Sequence, residues 1–291
     1  MLSNEQIQSY RTNGFMVLEH QIPESRLRAI RDELRQFETV AATMTESDER
    51  IDLESTHSAA QPRIRRIKLP HRHMDSCREL MRDECILEPV RDLIGPNLRL
   101  HTSKLNLKTA GYGAAVEWHQ DWAFYPHTND DILAVGVMLD DMTVDNGALL
   151  MLPGSHRGPI YNHHFDGCFV GAIPPGDLDL RQAQAVIAPA GSISLHHVRI
   201  VHGSDVNRSG QDRRLLLFEI SAADAFPIMG ALSKLPSIGE YDSRLLCGEG
   251  TLEPRVEAVP VRIPQPSPED FGSIYELQKK AGELAFEVIG K

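Results

Sequence analysis

The sequence has no long hydrophobic run, few cysteines and fewer basic than acidic residues. Nowhere in the 291 residues do about 18 apolar residues follow one another, so no membrane-spanning helix is predicted. The N-terminal segment is polar and lacks the apolar centre of a signal peptide. The four cysteines form no close pairs, which predicts reduced thiols in a cytoplasmic protein. The net charge of −11 argues against nucleic acid and anionic membranes as partners.

Helical patterns are concentrated in the first third of the chain. Residues 3–13 predict a capped helix, and Pro23 precedes a longer helix with apolar residues at helical spacing. The polar segment 42–62 is predicted to be a mobile loop. Asp75 is the predicted N-cap of a further long helix, which ends near Gly95.

From Leu98 onward, short apolar segments alternate with turn signals. The predicted strands are Leu98–Lys108, Ile132–Leu139, Ala148–Leu152, Val186-Ile187, Ser192–Val201 and Arg214–Ile220. Many short strands with few helices between them are typical of an antiparallel barrel or a double-sheet jelly roll. The fold class is therefore mainly β with flanking helices.

One domain is predicted for residues 1–291, because the chain shows no internal repeat and no clear linker. We expect N-terminal helices over about 1–96 and a β core over about 97–221. A C-terminal lid and helix are expected over about 222–291, with the helix running from Ser267 to Glu287.

Three His-x-Asp pairs are candidates for two ligands of a metal site. A mononuclear iron that activates O2 is commonly held by two histidines and one carboxylate, which leave coordination positions open. The pairs begin at His73, His119 and His164. The first lies where a loop meets a helix, and the third lies in a histidine-rich loop. His119 and Asp121 lie early in the β region and are therefore the favoured pair.

The third ligand is predicted to be His202, which follows the apolar segment Ile200-Val201. Arg213 lies 11 residues later, beyond a turn. If these two strands were antiparallel neighbours, His202 and Arg213 would lie side by side. The planar guanidinium of Arg213 suits a carboxylate, and Ser204 offers a further hydroxyl donor to it.

Three segments together resemble the phytanoyl-CoA dioxygenase family, over roughly residues 98–225. They are Trp118-His119-Gln120-Asp121-Trp122-Ala123-Phe124-Tyr125-Pro126, Asn146-Gly147-Ala148-Leu149-Leu150-Met151-Leu152-Pro153-Gly154-Ser155-His156, and His202-Gly203-Ser204 with Arg213. The resemblance implies a double-stranded β-helix, a cupin-like jelly roll with helices outside. It also implies a dioxygenase that hydroxylates a small organic substrate with Fe(II), 2-oxoglutarate and O2, and releases succinate and CO2.

The resemblance also implies roles for individual residues. His119, Asp121 and His202 fall on the iron ligands, which are the catalytic centre. Arg213 and Ser204 fall on the group that holds the far carboxylate of 2-oxoglutarate. The family's other co-substrate contacts correspond to two more positions in this chain, Lys68 and Ser103.

Two positions bear on how this chain differs from particular relatives. Val137 falls where the mammalian phytanoyl-CoA enzyme has a tryptophan near the co-substrate, so we expect a different pocket wall and a substrate other than phytanoyl-CoA. Related halogenases carry a small residue at the position of Asp121. The carboxylate in this chain therefore favours hydroxylation over halogenation. Trp122, Phe124 and Tyr125 are candidates to line the substrate pocket, and the segment 222–230 is a candidate to close over it.

Two alternatives remain at this stage. The first is a cupin-type enzyme with another metal, such as a zinc or manganese hydrolase or isomerase, and the second is a non-catalytic metal-dependent binding protein. Arg213 favours the dioxygenase over the first, because such enzymes need no carboxylate clamp beyond the last ligand. Succinate production would exclude the second.

Overall fold

The computed structural model describes residues 1–230, 232, 235–266, 268 and 273–286. Its helices, in chain order, are α1 (Asn4–Asn13), α2 (Glu24–Ala41), α3 (Pro70–His73), α4 (Asp75–Leu80), α5 (Glu84–Ile94), α6 (Ile238–Asp242) and α7 (Ile274–Gln278). Its strands, in chain order, are β1 (Phe15–Leu18), β2 (Ile51–Leu53), β3 (Ile64–Lys68), β4 (Leu98–Lys108), β5 (Val116–His119), β6 (Ile132–Met138), β7 (Leu149–Met151), β8 (His164–Phe165), β9 (Cys168–Phe169), β10 (Gln184–Ala185), β11 (Ile193–His197), β12 (His202–Ser204), β13 (Arg213–Ala222) and β14 (Leu245–Cys247). Within these residues, no helix is long and apolar enough to cross a membrane.

Two antiparallel sheets form the core of the molecule. The large sheet has the order β1-β11-β6-β13-β4-β3-β2, and β14 adds to it beside β4. The small sheet has the order β10-β7-β12-β5. Residues of both sheets share one buried apolar cluster, so the two sheets pack face to face. This arrangement confirms the predicted jelly roll.

Side chains on the two faces of β13 pack into two separate apolar clusters. Leu216 and Phe218 belong to the apolar cluster that also contains the buried residues of α2. Leu215 and Leu217 belong to the cluster between the two sheets. Because neighbouring residues of a strand point to opposite faces, one continuous apolar strand can support both layers. The inner face of β13 therefore faces the interior of the jelly roll.

The predicted long helix from Asp75 to Gly95 is wrong, because the structure has two helices there. Helix α4 ends at Leu80, and α5 begins at Glu84. The side chain of Asp83 accepts a hydrogen bond from the backbone N–H of Cys85 at 3.1 Å and caps the second helix. Asp75 is the first residue of α4, and its side chain makes no capping hydrogen bond.

The N-terminal part also contributes three strands. The apolar run Phe15–Leu18 is a strand, as its sequence pattern predicts, whereas β2 and β3 were not predicted. Strand β1 forms one edge of the large sheet, and β3 and β2 extend its other side. Strand β2 lies inside the predicted loop, where Ile51 is fully buried and Leu53 is 8% exposed. These short edge strands are stabilised by the sheet they join and show no periodicity of their own. The single domain over 1–291 stays a prediction.

The predicted C-terminal helix is reduced to α7 within the described residues, and its predicted ends, Ser267 and Glu287, lie outside them. The chain leaves the helix after Gln278, whose side chain is buried and donates to the carbonyl of Gly171 at 2.8 Å. It then turns so that Ala285 N–H donates to the Glu117 carboxylate at 2.7 Å. These tertiary contacts outweigh the local helical pattern.

Candidate metal centre

His119, Asp121 and His202 form a buried cluster between the two sheets. One ligand atom from each residue lies within 4.8 Å of the others. His119 ends β5, and His202 begins the neighbouring strand β12, directly opposite it in the register. Asp121 follows in a short 3-10 helix. The turn after β5 therefore places the carboxylate beside two facing imidazoles.

Both histidines present the same nitrogen to the centre of the cluster. The Nδ1 atoms of His119 and His202 lie 2.8 and 3.0 Å from the carbonyl oxygens of Glu117 and Ile200. A carbonyl only accepts, so each Nδ1 carries the proton and each Nε2 keeps its lone pair for a metal. These Nε2 atoms lie 3.7 and 3.9 Å from the carboxylate oxygens of Asp121.

The charge of Asp121 is favoured by its neighbours. Burial alone opposes ionisation, but the positive charge of Lys104 holds the pKa of Asp121 well below its usual range. Burial, together with the nearby His119, holds the pKa of His202 well below its usual range. A carboxylate with two neutral imidazoles is the protonation state that a divalent cation requires. This donor set fits Fe(II), because it leaves coordination positions open for small ligands.

Arg213 lies in the same cavity as the three candidate ligands. Its side chain is buried, and its Nη2 donates to the carbonyl of Gly147 at 3.1 Å. Gly147 has a φ of +79°, and a Cβ there would lie 2.6 Å from the carbonyl oxygen of Asp205. This position therefore requires glycine. The Nε and Nη1 atoms of Arg213 have no partner among the described residues, and burial lowers the pKa of Arg213 to about 10.

The predicted pairing of the His202 and Arg213 strands is wrong. Strand β12 pairs with β5 and β7, whereas β13 pairs with β4 and β6. His202 and Arg213 therefore lie on opposite sheets and face the cavity from two sides. The chain between them crosses from one sheet to the other, which a jelly roll requires and a hairpin does not.

Ser204 lines this cavity, but two other predicted residues do not. Lys68 lies opposite Lys104 in the register of β3 and β4, but its Nζ is 2.8 Å from Asp52 Oδ1 and donates to the carbonyl of Asp48, so its ammonium is already paired. The hydroxyl of Ser103 is 2.6 Å from Nδ1 of His71. Because β4 alternates, Lys104 points into the cavity and Ser103 points away from it.

Three residues near the cluster, Lys104, Glu219 and His196, are not among the predicted site residues. Lys104 Nζ lies 2.7 Å from Glu219 Oε1 and 3.9 Å from Asp121 Oδ1. His196 Nε2 lies 3.9 Å from Asp121 Oδ2, and burial lowers the pKa of His196 to about 4. Strand alternation predicts that Glu219 faces the cavity, because positions 213, 215, 217 and 219 share one face of the strand with Arg213. The pairing of β13 with β4 then brings Lys104 opposite Leu217.

The aromatic residues after the ligands have different environments. Trp122 is 1% exposed, and its Nε1 donates to the carbonyl of Pro260, so it is a core residue. The ring of Phe124 lies 5.8 Å from that of His119, edge to face. Tyr125 is partly buried, and its burial beside Asp121 and Glu219 raises its pKa well above the ordinary value. Phe124 and Tyr125 are therefore close enough to the cluster to shape it.

Comparison with known proteins agrees with this geometry. A probable alpha-ketoglutarate-dependent hypophosphite dioxygenase from Stutzerimonas stutzeri is 37% identical over 94% of this chain and 96% of its own length. The L-proline trans-4-hydroxylase of Streptomyces griseoviridis is 27% identical over 72% of this chain and 82% of its own. The predicted reaction class, iron- and 2-oxoglutarate-dependent oxygenation, is thereby confirmed.

A solved structure shares the fold. EctD from S. alaskensis, crystallised with 2-oxoglutarate and 5-hydroxyectoine, superposes with a TM-score of 0.65 at 22% identity, over 90% of this chain and 88% of that one. The sequence profile of the family described as Phytanoyl-CoA dioxygenase (PhyH) matches residues 10–215. With the 37% identical relative, this match shows that the chain belongs to the phytanoyl-CoA dioxygenase family.

Proposed function

We propose that His119, Asp121 and His202 hold Fe(II), and that Arg213 with Ser204 holds the far carboxylate of 2-oxoglutarate. The primary substrate would then be hydroxylated beside the iron with release of succinate and CO2. Two histidines and one carboxylate leave room at the metal for a bidentate co-substrate and for O2. The cavity lined by these residues extends from the ligand cluster to Arg213.

The observation that carries this proposal is that the buried guanidinium of Arg213 has two donors without a hydrogen-bond partner among the described residues. A buried guanidinium with two donors that lack partners costs free energy unless an anion binds it. A carboxylate supplies the charged acceptor that these donors lack. A zinc or manganese hydrolase, or a protein that only binds a metal, has no use for such a group beside its ligands. The geometry therefore favours a dicarboxylate co-substrate.

The chain's own part in the reaction is to position and to shield. Bound Fe(II) supplies the redox chemistry that couples decarboxylation of 2-oxoglutarate to hydroxylation. Arg213 sets the direction of the co-substrate by holding the end that does not react. Leu149, Leu215 and Leu217 line the same cavity and restrict water there.

The substrate class proposed is a small acid. Hypophosphite, named for one relative, is a phosphorus oxyanion, and L-proline, named for another, carries a carboxylate. These two substrates are both small and both carry an anionic group. We also propose a cytoplasmic location with no nucleic-acid partner, which the four free cysteines and the net charge of −11 support.

The test is succinate formation from 2-oxoglutarate by iron-loaded protein on exposure to O2. Wild type is expected to form succinate slowly without a primary substrate, and His119→Ala is expected to lose at least about 99% of this activity because one iron ligand is gone. Product is measured by chromatography and mass spectrometry.

The matched control is His164→Ala, which removes the histidine of another His-x-Asp pair. His164 Nε2 lies 3.2 Å from the carbonyl oxygen of Pro264, and His164 is on β8, in a small sheet with β9 that does not contain the cluster. This variant is expected to keep the wild-type rate. Equal activity in wild type and His119→Ala would refute the assignment of the iron site.

A further inference from the structure

A second cavity lies at the end of the large sheet, beyond the metal cluster. It encloses about 670 Å3, including the part that opens to solvent, which is enough for a small molecule. Its polar lining consists mainly of Arg99, His101, His127, Ser221, Tyr241 and Arg244. No aspartate or glutamate is among its described lining residues. The cavity is therefore cationic inside an acidic protein.

The strand register places this cavity close to the metal cluster. Ser221 lies two residues beyond Glu219 on β13, so both side chains point to the inner face, about 7 Å apart along the strand. Arg99 is the direct partner of Ser221 on β4 and shares that face. The cavity thus continues the inner face of β13 from Arg213, past Glu219, toward the mouth of the jelly roll.

Aromatic rings form the wall between the cavity and the cluster. The ring of His101 lies 4.5 Å from that of Tyr125 and 4.9 Å from that of His127. Tyr125 in turn adjoins Asp121 and Glu219. Burial lowers the pKa of His101 to about 3 and that of His127 to about 4, so both rings are neutral at physiological pH. They offer hydrogen bonds without adding charge.

Arg99 is the central group of the cavity. It is only 3% exposed, its guanidinium stacks on the Tyr241 ring at 3.7 Å, and its Nη1 donates to the Tyr241 carbonyl. Its Nε and Nη2 atoms have no partner in the described part of the chain. The stacking fixes the plane of the Arg99 guanidinium. Its two donors without partners, Nε and Nη2, are the pair that binds a carboxylate or phosphorus oxyanion with two parallel hydrogen bonds.

Arg244 adds a second positive charge. Its side chain is 31% exposed, and its nearest acidic atom is Glu240 Oε1 at 3.8 Å, which is longer than a hydrogen bond. The pair is therefore weak, and the guanidinium remains available to a ligand.

We propose that Arg99, supported by Arg244, binds the acid group of the primary substrate and so directs the rest of that molecule past Tyr125 toward the metal. This inference rests on the proposed function and deepens it, because it gives the substrate class a site. The ligand chemistry is a carboxylate or a phosphorus oxyanion. The apolar side chains of Met229 and Leu235, which also line the cavity, suit a short carbon skeleton.

The proposal is tested by calorimetric titration of the anaerobic protein, loaded with Fe(II) and 2-oxoglutarate, with hypophosphite, methylphosphonate, acetate and L-proline. Wild type is expected to bind at least one of these anions. Arg99→Gln is expected to weaken that binding by about 10- to 100-fold, because a charge-assisted bidentate contact is lost. Arg244→Gln is expected to weaken it about 3- to 10-fold.

The control is Arg181→Gln, because Arg181 is 85% exposed and pairs with Asp179 on a distant loop. This variant is expected to bind the anion as wild type does. If Arg99→Gln does not fold, the same titration is made with Arg99→Lys and Arg244→Gln, since both variants keep a polar side chain in place. Which anions bind distinguishes a carboxylate from a phosphorus oxyanion.

Two results would overturn the proposal. One is a wild-type enzyme that forms succinate yet binds none of the four anions, and the other is equal affinity in wild type and in the Arg99 and Arg244 variants. Failure of the proposed function would be distinguished from these two results by the succinate assay. Wild type would then form no succinate, while the same titration on metal-free protein would still show whether anions bind in an Arg99-dependent way.

Discussion

Arg213→Gln is expected to raise the 2-oxoglutarate concentration for half-maximal succinate formation by about 100-fold or more. Arg213 is buried, and two of its donors lack partners among the described residues, so the carboxylate of the co-substrate would be their main partner. Glutamine keeps one donor but has no charge and no fork. Iron binding itself is expected to change little. The measurement is succinate formation over a range of 2-oxoglutarate concentrations.

Arg214→Gln is the matched control for this prediction. Arg214 is the next residue on β13, but it points to the other face and pairs with Asp140 at 2.6 Å. The requirement for 2-oxoglutarate is expected to stay within about twofold of wild type, since only a partly exposed ion pair is lost. A similar rise in both variants, or none in Arg213→Gln, would contradict the assignment.

Asp121→Asn is expected to weaken Fe(II) binding by about 100-fold or more and to abolish succinate formation at ordinary iron concentrations. Asp121 is the only carboxylate in the three-residue cluster that the described residues form. Loss of a metal ligand should exceed the 10- to 100-fold effect typical of residues that only support ligands. Iron binding is measured by anaerobic equilibrium dialysis.

The control for this change is Asp166→Asn, in the loop between β8 and β9. Asp166 has a positive φ of 48°, a conformation that asparagine also tolerates, and it belongs to another His-x-Asp pair. Wild-type affinity is expected in this variant. If Asp121→Asn also binds iron like wild type, Asp121 is not a ligand.

The cluster and Arg213 were predictable from residue type and from the family resemblance, although the strand pairing expected between His202 and Arg213 is wrong. A His-x-Asp pair places two ligands on one turn, and the distant His202 completes a set that O2-activating iron needs. Local spacing did not reveal which strands would be neighbours. His202 and Arg213 are 11 residues apart, and the sequence alone did not show that the chain crosses between sheets there.

The remaining cavity residues depend on long-range register. Lys104 and Glu219 are 115 positions apart in the sequence, and only the pairing of β4 with β13 brings their side chains together. Lys68 was assigned by resemblance, but the structure pairs it with Asp52 on the neighbouring strand β2. The face of the strand does not explain this outcome, because Lys68 lies opposite Lys104, which lines the cavity; the carboxylate of Asp52 holds its ammonium instead.

The most direct test of the central claim is visible absorption of the anaerobic wild-type protein with Fe(II), before and after addition of 2-oxoglutarate. If His119, Asp121 and His202 hold Fe(II) and Arg213 orients 2-oxoglutarate onto it, a metal-to-ligand charge-transfer band is expected. The band should saturate at one co-substrate per chain and be absent in Asp121→Asn. Protein that binds Fe(II) but shows no such band at saturating 2-oxoglutarate would contradict the account.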